Sequence, residues 1–158
     1  METILFLDLD NTIFRTARRA KGDLGNPIAY DASGSPISYM SDKQSAILCQ
    51  IRNGARVIPV TARTTSALKL VDIQFDDYAI CSYGGVILSA DGNPDIAWNS
   101  KIRKQSQENY PRLLEIKKQV EAKCTDISVN IETRIVNDLD MNLYASARHT
   151  GKDETMIT

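Results

Sequence analysis

The distribution of apolar and polar positions indicates three short strands in the first half of the chain. Thr3 to Leu7 is a continuous apolar run bounded by charge, which is typical of a strand buried on both faces of a parallel sheet. We expect this strand to be central. Arg56 to Val60 and Tyr78 to Ser82 predict two further strands, and the second of these runs into Gly84-Gly85.

Turn and helix signals occupy the gaps between these strands. Residues 28–39 predict a hairpin, with two short strands around a Gly/Ser turn. Ser41 followed by Gln44 forms a capping box, so we expect a helix over 42–53. Thr64 to Val71 predicts a short helix that opens directly after the second strand.

The order strand, helix, strand, helix, strand favours an α/β fold with a right-handed, Rossmann-like parallel sheet. Ligands of such sheets bind at the carboxyl ends of the strands. Asp8, Thr61 and Ser82 occupy these ends in the sequence, so we expect them to share one edge of the sheet.

The pattern changes after the third strand and predicts an α+β unit. Val86 to Leu88 and Asp95 to Trp98 read as a hairpin around an Asp-Gly turn. An amphipathic helix is expected from about 101 to 124, with Pro111 in its first turn or at a break. Alternating strands are expected at 127–132 and 142–147, with an acidic turn between them. The domains expected are therefore residues 1–98 and residues 99–158.

Composition and charge narrow the classes of function. The chain has 158 residues with 19 basic and 20 acidic side chains, a formal net charge of -1, so it lacks the overall positive field of nucleic-acid binders. The N-terminal apolar run is too short for a signal peptide or a membrane span. Three widely spaced cysteines, Cys49, Cys81 and Cys124, fit a reducing compartment and are expected to be buried. We therefore expect a cytoplasmic protein whose partner is neither nucleic acid nor membrane.

The residues Asp8 and Asp10 at the end of the first strand are the strongest chemical signal. Hydrolysis of a phosphate monoester needs a nucleophile, a proton for the leaving oxygen and neutralisation of charge. Two neighbouring carboxylates with Mg²⁺ can supply all three. The hydroxyl of Thr61 and the start of a helix after Arg63 would hold the phosphoryl oxygens.

These motifs resemble those of a known superfamily. Asp8-Leu-Asp-Asn-Thr-Ile13, after an apolar strand, is similar to the first signature of the haloacid dehalogenase superfamily. Val60-Thr-Ala-Arg63 is similar to the second signature, with Ala62 in place of the usual glycine. Ile80 to Ile87 resembles the segment that precedes the type 2 cap in its sugar-phosphatase branch, which includes sucrose-phosphate and mannosyl-phosphoglycerate phosphatases. Tyr83 replaces the usual asparagine there.

The resemblance implies a role for each matched residue. Asp8 would be the nucleophile and a Mg²⁺ ligand, and Asp10 would be the acid/base and give its backbone carbonyl to the metal. Thr61, Ala62 and Arg63 would bind the substrate, as would the pair Gly84 and Gly85. The expected function is Mg²⁺-dependent hydrolysis of a small phosphorylated metabolite, favouring a sugar phosphate, through an aspartyl-phosphate.

The resemblance covers residues 1 to about 98 as a haloacid dehalogenase-like core portion, and residues 99–158 only as cap-like patterns. The superfamily's third-signature lysine and fourth-signature Gly-Asp-x-x-Asn-Asp are not found, since Lys152 lies in a polar tail and Asn137 to Asp140 reads as a turn. The expected sheet is therefore incomplete. Two alternatives stay open: a non-catalytic phosphate-binding or regulatory module, and an inactive fragment of a longer phosphatase. An incomplete sheet would expose strand edges, so a second copy of the chain is an expected partner.

Overall fold

The chain folds into two units, Met1–Asn99 and Ser100–Thr158. The computed structural model describes residues 3–20, 22, 24–75 and 77–150. Lys152, which the sequence assigned to a polar tail, lies outside the described residues. The division falls one residue beyond the end of the expected core portion at 98.

The first unit is built from strands and helices. A long helix and a hairpin follow it in the chain. In chain order they are β1 (Ile4–Asp8), β2 (Asn26–Tyr30), β3 (Pro36–Met40), α1 (Asp42–Gly54), β4 (Arg56–Val60), α2 (Thr65–Leu68), β5 (Ala79–Cys81), β6 (Val86–Leu88), α3 (Ile96–Asp126), β7 (Ile131–Asp138) and β8 (Met141–His149). Single 3₁₀ turns lie at Ala17–Arg19 and Ser82–Gly84.

The main sheet of the first unit has the strand order β1-β4-β5-β6. The pairs β1–β4 and β4–β5 are parallel, and β6 runs antiparallel to β5. This arrangement confirms the predicted α/β class with a Rossmann-like parallel core.

The prediction that the first strand is central is wrong for the described part of the chain, where β1 is the edge strand of the sheet. One face of β1 is open: Ile4 is 51% exposed and Phe6 is 62% exposed. The next residues of the chain reach the core instead, since Leu9 and Phe14 are fully buried. Although the sequence of β1 is apolar on both faces, only one of these faces is therefore packed.

The core of this unit is formed by the β2–β3 hairpin, the helix α1 and the loop after β1. Leu9, Phe14, Ala29 and Leu48 are among its buried members. The hairpin confirms the prediction but extends beyond the predicted residues 28–39 at both ends, and it is antiparallel with a turn at residues 31–35. Gly25 comes directly before it with φ +75°, and a Cβ there would overlap the backbone of Met40.

The helix α1 confirms the capping box predicted from the sequence. The Ser41 hydroxyl accepts from the Gln44 backbone N–H, and the Gln44 side chain accepts from the Ser41 N–H at 3.1 Å. The helix ends at Gly54, one residue beyond the prediction. The next helix, α2, begins as predicted after Thr64, but it ends at Leu68 rather than at Val71.

The strand predicted at Asp95 to Trp98 is wrong, because this segment begins α3. The Asp95 carboxylate accepts from the Trp98 backbone N–H at 2.7 Å and so caps the first turn of the helix. The Trp98 indole N–H donates to the Gly84 carbonyl at 2.9 Å. The strand β6 pairs with β5 through a single turn at Ser82–Gly84. The predicted Asp-Gly turn is present on its other side, but it returns only Pro94 and Asp95 to β6, where the Asp95 N–H donates to the Ile87 carbonyl at 2.8 Å.

The second unit consists of most of α3 and the β7–β8 hairpin. The helix α3 continues through Pro111, so the expectation of a break or first-turn position for this proline is wrong. Arg103 Nη2 donates to the Leu139 carbonyl at 2.7 Å and Ser106 donates to the Asn142 carbonyl at 3.1 Å, which fixes the hairpin turn against α3. The first hairpin strand starts at Ile131 rather than at residue 127, and the predicted acidic turn closes the hairpin.

Two further expectations concern the cysteines and membrane insertion. Cys81 is buried as predicted, but Cys49 is exposed and Cys124 is half-buried, so the prediction of three buried thiols is wrong. Cys49 lies on the polar side of α1, whose buried residue is Leu48. None of the helices in the described residues combines the length and the apolar composition that a membrane crossing requires.

Candidate functional site

The carboxyl ends of β1, β4 and β5 meet at one edge of the sheet. Asp8 pairs in register with Val60, and Val60 pairs with Ile80. The Thr61 N–H donates to the Ile80 carbonyl at 2.9 Å, and Ser82 is the residue directly after β5. The structure therefore brings Asp8, Thr61 and Ser82 to the same edge, as the strand pattern predicted.

Asp8 is exposed at the end of β1, and its carboxylate is oriented by a neighbouring hydroxyl. Thr12 Oγ1 donates to Asp8 Oδ2 at 2.6 Å. The loop that carries Thr12 is held by the Leu9 carbonyl, which accepts from the N–H groups of Ile13 at 3.1 Å and Phe14 at 3.4 Å. With Leu9 and Phe14 fully buried, this loop is anchored in the core while Asp8 faces solvent.

Asp10 forms a bidentate ion pair with Arg63 across 53 residues of sequence. Arg63 Nε donates to Oδ2 at 2.8 Å and Arg63 Nη2 donates to Oδ1 at 2.7 Å. The Arg63 side chain is 12% exposed and that of Asp10 is 40% exposed. The guanidinium also lies over the Phe14 ring, 5.2 Å from its centroid. Arg63, expected to bind substrate, therefore binds Asp10 in this structure.

The loop Thr61-Ala62-Arg63 connects β4 to α2. Thr61 is 2% exposed, and its Oγ1 accepts from the Arg63 backbone N–H at 3.1 Å. Ala62 is half-buried. Thr64 caps α2 by accepting from the Ala67 N–H at 3.3 Å. Because α2 has four residues, its dipole offers little of the anion attraction that the sequence led us to expect from a helix start.

The turn between β5 and β6 is conformationally unusual. Ser82, Tyr83 and Gly84 have φ of 52°, 56° and 88°. Gly84 contributes its carbonyl to the Trp98 indole, and the Gly85 N–H donates to the Ser82 carbonyl at 3.0 Å. Both glycines, expected to bind substrate, thus have structural partners in the turn. Tyr83, which lies between Ser82 and Gly84, was not among the predicted site residues.

The donor set for a divalent cation is Asp8 and Asp10. Within the described ranges, no group of three His, Cys, Asp or Glu side chains is placed to hold a metal ion. Mg²⁺ sites commonly use one or two carboxylates and complete their octahedron with water and substrate phosphate. The Asp8 carboxylate and the Asp10 carbonyl fit such a sparse site by the chemistry of their oxygens.

Comparison of the sequence with protein-family models and with curated proteins gives no match. The family assignment suggested by the motifs therefore stays a prediction, and the chemistry has to be argued from the side chains at the strand ends.

Proposed function

We propose that this chain is a Mg²⁺-dependent phosphatase of the haloacid dehalogenase type that hydrolyses a small phosphorylated metabolite. The observation that carries the proposal is the meeting of an exposed, oriented carboxylate at Asp8 with a second carboxylate at Asp10 and the hydroxyl of Thr61 at one sheet edge. The motif resemblance favours a sugar phosphate as substrate.

In the proposed reaction Asp8 attacks phosphorus through the oxygen that Thr12 does not engage. The new bond joins that oxygen to phosphorus while the bond from phosphorus to the leaving alkoxide breaks. The Thr61 hydroxyl, which accepts from the Arg63 N–H, uses its own hydrogen to donate to a phosphoryl oxygen. Mg²⁺, when bound to Asp8 and the Asp10 carbonyl, would reduce repulsion between the Asp8 carboxylate and the phosphate dianion.

Asp10 would act as the acid and then as the base. Its carboxyl gives a proton to the leaving oxygen, and its carboxylate later takes one from the water that attacks the aspartyl-phosphate. Water oxygen then bonds to phosphorus, the bond to Asp8 breaks, and phosphate leaves. Both Asp10 oxygens accept from Arg63 in the structure, so the acid role requires this ion pair to open.

The second candidate is a non-catalytic phosphate-binding or regulatory module. The specific observation in its favour is the bidentate Arg63–Asp10 pair, since both oxygens of this carboxylate are engaged by the guanidinium rather than available to a leaving group. Such a module would bind inorganic phosphate or a phosphate ester without releasing product. We place either function in a reducing, cytoplasmic setting because the three cysteines are odd in number and widely spaced in the sequence.

The test is release of phosphate from p-nitrophenyl phosphate by the full chain with and without Mg²⁺. We expect Mg²⁺-dependent release that Asp8→Asn abolishes. Asp140→Asn is the matched control, because it makes the same chemical change in the turn of the β7–β8 hairpin, where asparagine also tolerates the φ of 59°. Release that survives Asp8→Asn contradicts the nucleophile, and binding of phosphate without any release favours the module.

A further inference from the structure

Tyr83 adopts a backbone conformation that a bulky side chain rarely occupies. Its φ is 56°, and its neighbours Ser82 and Gly84 also have positive φ, so three successive residues lie in the left-handed region. Only glycine enters this region without a steric cost, and other residues held there cluster at functional sites. The tyrosine therefore needs an explanation beyond local backbone preference.

Hydrogen bonds to the neighbouring strand-end loop hold this conformation. The Tyr83 N–H donates to the Thr61 carbonyl at 3.1 Å, and the Ser82 N–H donates to the Arg63 carbonyl at 2.8 Å. These bonds fix the backbone of Tyr83 beside the two loop residues that lie closest to the proposed phosphate site. A left-handed residue is thus required at this position by the route of the chain.

The requirement for a left-handed residue does not explain why the residue is tyrosine. Asparagine or glycine would meet the same backbone demand at a lower steric cost. The side chain also adds little to the core, since Tyr83 is 74% exposed while Ser82 beside it is 2% exposed. A large ring is therefore held at the polar edge of the sheet and left accessible to solvent.

We propose that Tyr83 is a specificity-determining residue whose ring packs against the organic part of a ring-bearing phosphomonoester. The inference rests on the proposed function, because it takes the phosphoryl group to sit at Asp8 and Thr61. It adds a choice between leaving groups: the face of an aromatic side chain can cover the C–H groups on one face of a sugar ring, and it has less to contact in a short open chain. The chain would accordingly prefer cyclic over open-chain phosphate esters.

The experiment measures equilibrium binding of two phosphate esters to the full chain by titration calorimetry. Glucose 6-phosphate carries a ring and glycerol 3-phosphate does not. The protein carries Asp8→Asn, so that neither ester is consumed. Three further substitutions are compared in this background: Tyr83→Asn and Tyr83→Gly remove the ring but keep a residue suited to positive φ, while Tyr83→Phe keeps the ring.

We expect both ring-removing variants to bind glucose 6-phosphate roughly 5-fold more weakly, the size of one aromatic contact. Tyr83→Phe should retain the affinity, and binding of glycerol 3-phosphate should be the same in all variants. Equal losses of affinity for both esters would mean that Tyr83 only shapes the turn. Equal affinities in all variants would mean that the ring touches no ligand. Either result overturns the inference about Tyr83 and leaves the proposed function standing. If the Asp8→Asn parent binds neither ester, the inference fails as well, whereas the proposed function fails only if the unsubstituted chain releases no phosphate from p-nitrophenyl phosphate.

Discussion

The ion pair between Arg63 and Asp10 gives the sharpest prediction about stability. Replacing Arg63 with methionine removes two charge-assisted hydrogen bonds but keeps an unbranched side chain that can pack on Phe14. A hydrogen bond to a charged group contributes about 1.5–3 kcal/mol when both partners are buried, whereas an exposed ion pair contributes about 0.2–1 kcal/mol.

The contribution of the Arg63–Asp10 pair to stability lies between these two values, and the exposure of the two side chains determines where. Asp10 is 40% exposed, so water can replace much of what it loses, whereas Arg63 is 12% exposed and its guanidinium cannot be hydrated to the same degree. We therefore expect Arg63→Met to lower the free energy of unfolding by about 1–2 kcal/mol, with a cation–π contact to Phe14 included in the loss. The coupling energy to Asp10→Asn should be about 1 kcal/mol.

The assay is a double-mutant cycle in urea, followed by the fluorescence of Trp98. Trp98 is the single tryptophan of the chain, and its indole donates to Gly84, so it reports on the unit that holds the pair. The coupling should persist in high salt, because screening is weaker for a partly buried pair. The control cycle is Glu132 with Arg148, a single contact of 2.8 Å between side chains that are 56% and 78% exposed.

The control cycle, followed by far-ultraviolet circular dichroism, should give a coupling below about 0.5 kcal/mol that salt removes. A coupling for Arg63 and Asp10 no larger than that of the control would refute the reasoning from exposure. It would mean that Asp10 is hydrated in solution and is already available to exchange protons with a substrate.

Three further predictions concern the rest of the chain. Gly25→Ala should lower the free energy of unfolding, measured in urea, by about 3 kcal/mol, because the added Cβ meets the Met40 backbone. Gly34 is also at positive φ but has open space around it, so Gly34→Ala should cost only about 1 kcal/mol. Equal losses would contradict the overlap at Gly25. Hydrogen bonds, first from a serine hydroxyl and then from an asparagine, lower the pKa of Asp91 from 3.8 to about 2. The stability that the ionised carboxylate contributes is therefore present above pH 3.8 and is lost as the pH falls toward 2. An NMR titration in which the Asp91 carboxyl has its midpoint at the ordinary value would exclude this. We also propose that the open edge of β1 pairs with a second copy, so sedimentation should show a dimer that Phe6→Lys dissociates, and a monomeric parent would sink the idea.

The strand ends and the first helix were predictable because their signals are local. Each of these strands is a run of apolar residues that ends at a polar residue, which is sufficient to locate Asp8 and Thr61. A capping box is read from two residues three apart, and Ser41 with Gln44 gives the start of α1 to the residue.

Errors arose where the deciding interaction joins distant parts of the chain or where the segment is short. Strand order is a property of the whole sheet, so the apolar sequence of β1 did not reveal that Ile4 and Phe6 stay exposed. Over four residues, Asp95 to Trp98 has no period that separates a strand from one helical turn, and the side-chain cap decides for the helix. The left-handed backbone of Tyr83 is held by a hydrogen bond to the Thr61 carbonyl, which no local pattern encodes.

The pairing of Arg63 with Asp10 determines which of the two proposed functions is available to the site. Both oxygens of the Asp10 carboxylate accept hydrogen bonds from the guanidinium, so an acid role for Asp10 requires that Arg63 find another partner. A phosphate dianion carries more charge than a single carboxylate and accepts from the same planar fork of donors, which makes a substrate bound beside Thr61 a competitor for Arg63. If the phosphoryl group displaces Asp10 from Arg63, the freed carboxylate can take a proton from water and then give it to the leaving oxygen. If Arg63 stays paired with Asp10, phosphate is bound without turnover, and the same residues form a binding module.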